Sequence, residues 1–580
     1  MQDKWFTDHP PSKRYPHYTR ANAGEVLPTP ASPLGQTYGF DNAIGHGFQE
    51  ASIVMGAYEE DDYRDGKPEM VTFFGGYFYI NMSCVRIQAV RNPAITVDQL
   101  DLAFFGDRPD TPPYEPHPKD DKPHLEEKID AHMQFVLTTS HWPELEEEKE
   151  RAAQIRADRP DLASLTDNEV VAHLRKLHPY IRDFTTNQMV AATSSGIPPG
   201  MLGAVAEAIG DPTMPMRVLA GLGDVDSAAP SFALWDLSRV IKGDGELSAL
   251  FDKGIDGLLD RLKTLNSPNT QQFKDDFDNF VYEYGSRGPN EWELSAQTWE
   301  TDPSIPLRTL DQVRKQPDDK NPQNGADSVS KDRQQVVEEV RAKLAELEND
   351  ELIGVFEGAL VGANQMVFRE RAKTSLVRVL HESRMAIREL GKRHEESGTV
   401  SDPEHIFMLL DEELESFVAD PSSYSALLDD RYENWLKLWD LTPPFFLRDG
   451  IIPPLTEWET STPFVESSLT EGDVLTGTAG CPGVVTGRAR IVRDPTSPPD
   501  LEPGDIMVAP LTDPAWTPLF LAVDGVVVNV GGQVSHAVIV SREMGIPCVV
   551  SVADATERIQ DGATITVDGT NGDVTLIRNP

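Results

Sequence analysis

One histidine of this chain stands where phosphate chemistry can be done. His536 lies in the run Gly531-Gly532-Gln533-Val534-Ser535-His536-Ala537-Val538-Ile539-Val540, which continues to Met544 and the turn Gly545-Ile546-Pro547. The apolar stretch before it, Gly525 to Val530, reads as a strand that stops at the two glycines, and the stretch from Ser535 onward is compatible with a helix. That order places an imidazole on a turn at the mouth of a helix. Glycines let backbone N–H groups approach an anion, and a helix N-terminus favours negative charge. A phosphoryl group carried on the ring would be stabilised there, with Gly531, Gly532 and Ser535 as its supports. The same spacing also fits a plain strand–turn–helix connection with Ser535 as N-cap and an incidental histidine.

The flanks of this run carry further motifs in order: Gly477-Thr478-Ala479-Gly480-Cys481-Pro482-Gly483, Gly487-Arg488-Ala489-Arg490, Pro503-Gly504-Asp505, Thr512-Asp513-Pro514-Ala515-Trp516-Thr517-Pro518 and Asp568-Gly569-Thr570-Asn571-Gly572. Together they resemble the swivelling phosphohistidine domain of the phosphoenolpyruvate synthase and pyruvate phosphate dikinase superfamily. The resemblance implies that His536 receives a phosphoryl group originating in ATP and hands it to an acceptor.

The elements that must position this turn follow from the rest of the chain. Its 580 residues suffice for several cores. Residues 1 to about 115 are rich in Pro and Gly and contain one hairpin candidate, Val71 to Met82, with Gly75-Gly76 between aromatic runs. From about 120 to 285 apolar residues recur at helical intervals, and Lys315 to Lys331 reads as an exposed polar loop. Gln335 to His394 then reads as nearly continuous helix with one interruption near Gly354 to Gly362. The proline-rich stretch 441–475 reads as a linker, either free to let a carrier domain move or docked along a helical surface. The expected fold is multidomain α+β: a mainly helical acceptor-binding region over 1–440, the linker, and a β/β/α swivelling domain over 476–580.

Composition excludes several functions. With 95 acidic against 52 basic residues the net charge is -43, which gives no electrostatic footprint for nucleic acid or an anionic membrane. No apolar run approaches the roughly 20 residues of a membrane helix, and the polar start is unlike a signal peptide. The three cysteines are far apart in sequence, with no CxxC pair, so neither a disulfide framework nor a zinc site is expected and a reducing cytoplasm fits. Neither HExxH nor GxxxxGK[ST] occurs, and Gly221-Leu222-Gly223 reads as a turn.

The first 440 residues also resemble this superfamily. Arg20-Ala21-Asn22-Ala23-Gly24-Glu25-Val26-Leu27-Pro28 is similar to the opening of the substrate-binding region in rifamycin phosphotransferases. Tyr284 to Glu291 is similar to a Gly-His-Arg-Gly-x-x-Glu motif, with Ser286 in place of the usual histidine. Arg369-Glu370 with Lys373 matches an Arg-Glu-x-x-basic helix motif, and His405 to Leu409 with Asp411-Glu412 matches a later element. Phosphoryl transfer mostly needs positive charge and alignment, so Arg287, Arg369 and Lys373 are candidates to face the phosphoryl group. Glu291 and Glu370 are expected to orient those cations; each of these residues also fits a structural ion pair. The segment beginning at Arg20 follows no ATP-grasp region, so the resemblance implies one half of a split dikinase. ATP and Mg2+ are then expected on a separate ATP-grasp subunit. The expected acceptor is the hydroxyl of a small aromatic, a phenol or hydroxyphenyl ketone, with AMP and inorganic phosphate released. A rifamycin-like antibiotic acceptor and a phosphocarrier without turnover are the alternatives.

Overall fold

The computed structural model describes residues 3–63, 67–93, 95–106, 108–460, 469–532 and 535–580. The chain is a multidomain α+β protein that divides into two compact units. The first comprises Met1–Ser194, Trp292–Ala296 and Ala372–Pro463; the second comprises Ser195–Glu291, Gln297–Arg371 and Phe464–Pro580. No helix among the described residues is long and apolar enough to cross a membrane.

The first unit is built on an antiparallel sheet of β1 (Tyr18–Thr19), β2 (Val71–Phe74), β3 (Tyr77–Asn81) and β4 (Phe446–Leu447), in the order β2-β3-β1-β4. The expected hairpin is present. Gly75 and Gly76 turn it with φ of 58° and 75°, the left-handed pair that a tight hairpin needs. Phe73 and Phe78 pack on Phe40 beneath it. The helix α1 (Asp167–Ser194) buries Leu174, Leu177, Ile181 and Phe184 in the same core.

The second unit contains α2 (Ala229–Gly243), α3 (Pro322–Glu346), α4 (Asp350–Gly362) and the first two turns of α5 (Asn364–Glu396). Two expectations are corrected here. The polar segment 315–331 is a loop only as far as Asn321, because Asn321 caps α3, its side chain accepting the N–H of Gln323 at 3.0 Å, and Pro322 occupies the first helical position. The single interruption expected within 354–362 is instead a break at each end of α4. Glu348 takes a left-handed φ of 48°, and Asn349 caps α4 by accepting the N–H of Leu352. Farther along α5, in the first unit, Arg384 donates to the carbonyls of Glu293 and Leu294, and Arg388 to those of Ser295 and Ala296. One turn of spacing on a helix thus clamps four successive carbonyls of the segment that follows Glu291.

The second unit also carries a mixed sheet: β5 (Val474–Thr476), β6 (Thr478–Cys481), β7 (Val484–Ile491), β8 (Asp505–Ala509), β9 (Gly525–Val528), β10 (Cys548–Val550), β11 (Thr564–Asp568) and β12 (Asp573–Arg578). The order is β5-β12-β11-β7-β8-β9-β10-β6, with β7 to β10 parallel and the outer pairs antiparallel. Arg488 binds both carboxylate oxygens of Asp505 at 2.8 and 2.9 Å, which gives the Gly-Arg-Ala-Arg and Pro-Gly-Asp motifs a structural use.

The linker expectation also changes. Leu441–Thr442 pairs with Glu459–Thr460, Phe446–Leu447 is β4, and Leu455 and Trp458 are buried in the first unit's core. Leu469 is buried with the core of the mixed sheet and β5 starts at Val474. Apolar residues spaced between the prolines decide this, since each has a core to enter; 461–468 lie outside the described residues. Nor is 1–440 one region, because its stretches Ser195–Glu291 and Gln297–Arg371 belong to the unit of the mixed sheet. Trp235 of α2 and Val313 share an apolar cluster with Leu519, Phe520 and Val538.

Candidate functional site

The helix α6 (Thr517–Phe520) and the helix α7 (His536–Met544) stand on either side of the imidazole. Helix α7 begins at His536 because Ser535 adopts extended backbone (φ -69°, ψ 160°), and it ends because Gly545 takes the left-handed region two residues before Pro547. Gly531 is needed for packing. A side chain there would meet Ser535 Oγ at 2.9 Å and Val550 at 3.3 Å, whereas Gly532 faces open space. The N–H of Ser535 donates to the carbonyl of Gly532 at 2.9 Å, closing the turn. Gln533 and Val534 lie outside the described residues.

His536 is 8 % exposed. Two threonine hydroxyls stand on its ring nitrogens, Thr512 Oγ1 at 3.3 Å from Nδ1 and Thr517 Oγ1 at 2.9 Å from Nε2, and the Phe520 ring meets it edge-on. Neither threonine was singled out from sequence. Both belong to the Thr512 to Pro518 motif, so the signal was present without a role attached. Ser535, expected to cap α7, makes no cap hydrogen bond, and its buried hydroxyl has no partner among the described residues. A hydroxyl left free at a helix N-terminus, beside a histidine, can donate to a phosphoryl oxygen.

A short chain of contacts within the second unit connects this turn to the Tyr284–Glu291 motif. Asp513, next to Thr512, accepts the N–H of Asn290 at 2.9 Å with one oxygen and the N–H of Ala515 at 2.9 Å with the other. Asn290 has a left-handed φ of 57° that turns its N–H toward the acid. Arg287 and Glu291, in the same motif, form a buried pair, with Arg287 Nη1 at 3.2 Å from each carboxylate oxygen. Ser286, where the resemblance led one to expect histidine, is buried.

On α5, Arg369 and Lys373 fall one turn apart on one face, both half-buried. Arg369 Nε stands 3.7 Å from Glu370 Oε1. The division between units passes after Arg371, so Lys373 is counted with the first unit and the other candidates with the second. Arg371, not singled out from sequence, pairs with Asp224 and lies 3.7 Å from Asp226. His536, Gly531, Gly532 and Ser535 therefore share one turn, and Arg287 and Glu291 a second turn linked to it through Asp513.

Residues 184–370 match the sequence model for the rifampicin phosphotransferase fourth domain, and residues 501–572 match that for the mobile domain of PEP-utilising enzymes. The rifampicin phosphotransferase of Streptomyces sviceus is 30% identical over 62% of this chain and 40% of its own length. An uncharacterized phosphotransferase of Bacillus subtilis, YvkC, is 26% identical over 59% of this chain and 41% of its own. The prodigiosin synthesizing transferase PigC of Serratia marcescens is 25% identical over 99% of this chain and 64% of its own. The chain thus spans less than two thirds of the length of these relatives. Two family matches thus fall in this order, the second spanning His536, and over these stretches the chain is similar to the PEP-utilising, pyruvate phosphate dikinase-like superfamily.

Proposed function

We propose that this chain is a phosphotransferase in which His536 is a covalent relay. An imidazole nitrogen takes the β-phosphoryl group of ATP held with Mg2+ by a separate ATP-grasp partner, AMP leaves, and the γ-phosphate goes to water as inorganic phosphate. The ring then passes its phosphoryl group to a substrate hydroxyl, whose proton is lost as the P–N bond breaks and the P–O bond forms. The observation that carries this reading is the histidine at the first position of α7, beside the hydroxyl of Ser535, which has no partner among the described residues, and between two exchangeable threonine hydroxyls. The two family matches support it.

For the acceptor, a phenol or hydroxyphenyl ketone suits the chemistry. A phenolic hydroxyl with a pKa near ~10 ionises readily, so cations such as Arg369 and Lys373 can stabilise the oxyanion and the transferring group with no strong base. The match of 184–370 to a rifampicin phosphotransferase domain favours the second reading, a rifamycin-like antibiotic as acceptor. The test combines this chain, an ATP-grasp partner, ATP and Mg2+ with phenol, 4-hydroxyacetophenone or rifampicin. Intact-protein mass at neutral pH should show an acid-labile phosphate on wild type, and phosphorus NMR should show which acceptor takes it. Replacing Arg369 or Lys373 with Met should slow acceptor transfer roughly 10- to 100-fold, as expected for one charge-assisted contact, and leave loading of His536 unchanged. No phosphate on the chain under any of these conditions overturns the relay.

A further inference from the structure

The histidine-bearing helix is buried along its whole length, and its two faces have different partners. Ala537, Val538, Val540 and Met544 pack into the apolar cluster formed with β8 and β9, which Trp235 and Val313 of the helical half also enter, whereas Ile539 packs against Val225 and Val367 of that half. Glu543 lies two turns after His536 and so on the same side of the helix. Its Oε1 accepts the N–H of Leu222 at 3.1 Å and its Oε2 that of Gly223 at 3.2 Å. The Gly-Leu-Gly run, with Gly221 and Gly223 at left-handed φ of 62° and 73°, is an irregular segment that presents successive amides to an acid. Burial raises the Glu543 carboxyl, an effect opposed by those backbone N–H groups and by Arg333 of α3. Glycine also marks a second close approach, since a methyl at Gly325 of α3 would stand 2.2 Å from the carbonyl oxygen of Met544.

A carboxylate buried in an apolar contact is costly unless hydrogen bonds or a cation compensate it. Among the described residues, the hydrogen bonds that Glu543 accepts come from the helical half and none from the sheet that carries it. We infer that Glu543 is a positioning residue: its carboxylate fastens α7 to the 221–223 segment and so holds His536 docked on the helical half of the unit. The contact is suited to release. When the helix leaves, carboxylate and amides all regain water, and no unpaired group stays buried; an apolar residue at 543 would instead add to the exposed apolar patch. That docking serves acceptor transfer rests on the proposed relay; that Glu543 maintains the docking does not.

Hydrogen exchange on the full chain near neutral pH tests this without a substrate or a partner. Glu543→Ala should speed exchange at least about tenfold at Leu222 and Gly223 and also in α3 around Gly325 to Val329, while β8 and β9 stay as protected as in wild type. Glu543→Gln, which retains one acceptor oxygen, should fall between. Gly325→Ala, which forces α3 and α7 apart while favouring the helix that holds it, should give the same pattern without touching the carboxylate. Faster exchange confined to Leu222 and Gly223 would overturn the proposal, because Glu543 would then only cap that segment. Equal loss of protection in β8 and β9 would overturn it as well, because the residue would then belong to the domain's own fold. If Gly325→Ala gives the pattern and Glu543→Ala does not, packing alone holds the helix. A chain that never takes phosphate on His536 would remove the relay reading and leave this pattern as it is.

Discussion

Arg287 and His536 are both buried nitrogen groups of the second unit, two contacts apart through Asn290 and Asp513, yet they are held in opposite ways. Arg287 is locked to both oxygens of Glu291. The ring nitrogens of His536 face neutral hydroxyls, at 3.3 and 2.9 Å. Removing one member of a buried ion pair strands the other charge, whereas a neutral hydroxyl can turn away at the cost of about 1 kcal/mol. A group that shapes a site can be locked. A group that must give up a partner to gain a phosphoryl group cannot, and the fold makes that distinction.

His536→Ala separates the two most sharply. It should abolish the acid-labile phosphate and both half-reactions while leaving thermal stability near that of wild type, since an alanine fits the start of α7. A large loss of stability in this variant would make the histidine a packing residue and the comparison empty.

The ion pair should behave in the reverse manner. Arg287→Met or Glu291→Gln alone should cost about 3–5 kcal/mol in urea unfolding, and the double variant should recover much of that loss. If either single change costs less than about 1 kcal/mol, as exposed pairs do, the pair does not lock Arg287 and the contrast with His536 disappears.

A buried acid with no ion-pair partner among the described residues supplies the control. Glu148 accepts from Asn187 at 2.5 Å, and among the described residues its other oxygen has no partner. Burial raises its pKa from 4.5 to about 8. The folded chain thus holds this proton more tightly than the unfolded one, so the group's contribution to stability is full below pH 4.5 and is lost as the pH rises through about 8. Glu148→Gln should therefore match wild type near pH 5 and exceed it near pH 9, by on the order of a few kcal/mol. Stability that falls equally in both proteins would show that Glu148 stays solvated.

What could be read from sequence, and what could not, follows the same division between local and distant chemistry. The histidine turn, the hairpin at Gly75-Gly76 and the strand before His536 were legible because each is specified by neighbouring residues. The partition of the helical region was not, because Trp235 and Val313 enter the core beside Phe520 through contacts hundreds of residues apart in sequence. Nor was the fate of 441–460, whose prolines read as a linker while Phe446, Leu455 and Trp458 entered a core. Cys481 and Cys548, far apart along the chain, stand opposite each other on β6 and β10. Burial pushes both thiols up to about 12, which keeps them protonated and unreactive at neutral pH. Arg287 and Glu291 were legible as a pair four residues apart, but only the fold showed that both are buried.

The finest test of the comparison lies in the two threonines. A neutral imidazole has one N–H and one lone pair, and a hydroxyl can accept from the first or donate to the second. The nitrogen that attacks phosphorus must present its lone pair, so the threonine facing it has to turn away, while the other threonine accepts the N–H and keeps the ring in the reactive tautomer. Replacing each with valine retains volume and removes the hydroxyl. One variant, Thr512→Val or Thr517→Val, should slow loading of His536 roughly fivefold, the kinetic equivalent of about 1 kcal/mol, and the other should leave it unchanged or slightly faster. The slower variant identifies the hydroxyl that holds the tautomer, and the nitrogen facing the other threonine is then the one that carries phosphate. Single-turnover loading, measured on variants with wild-type thermal stability, reads this difference directly. Losses of a hundredfold or more in both variants would mean that the hydroxyls act as a fixed pair, and the contrast with Arg287 and Glu291 would fail at the residue it was drawn to explain.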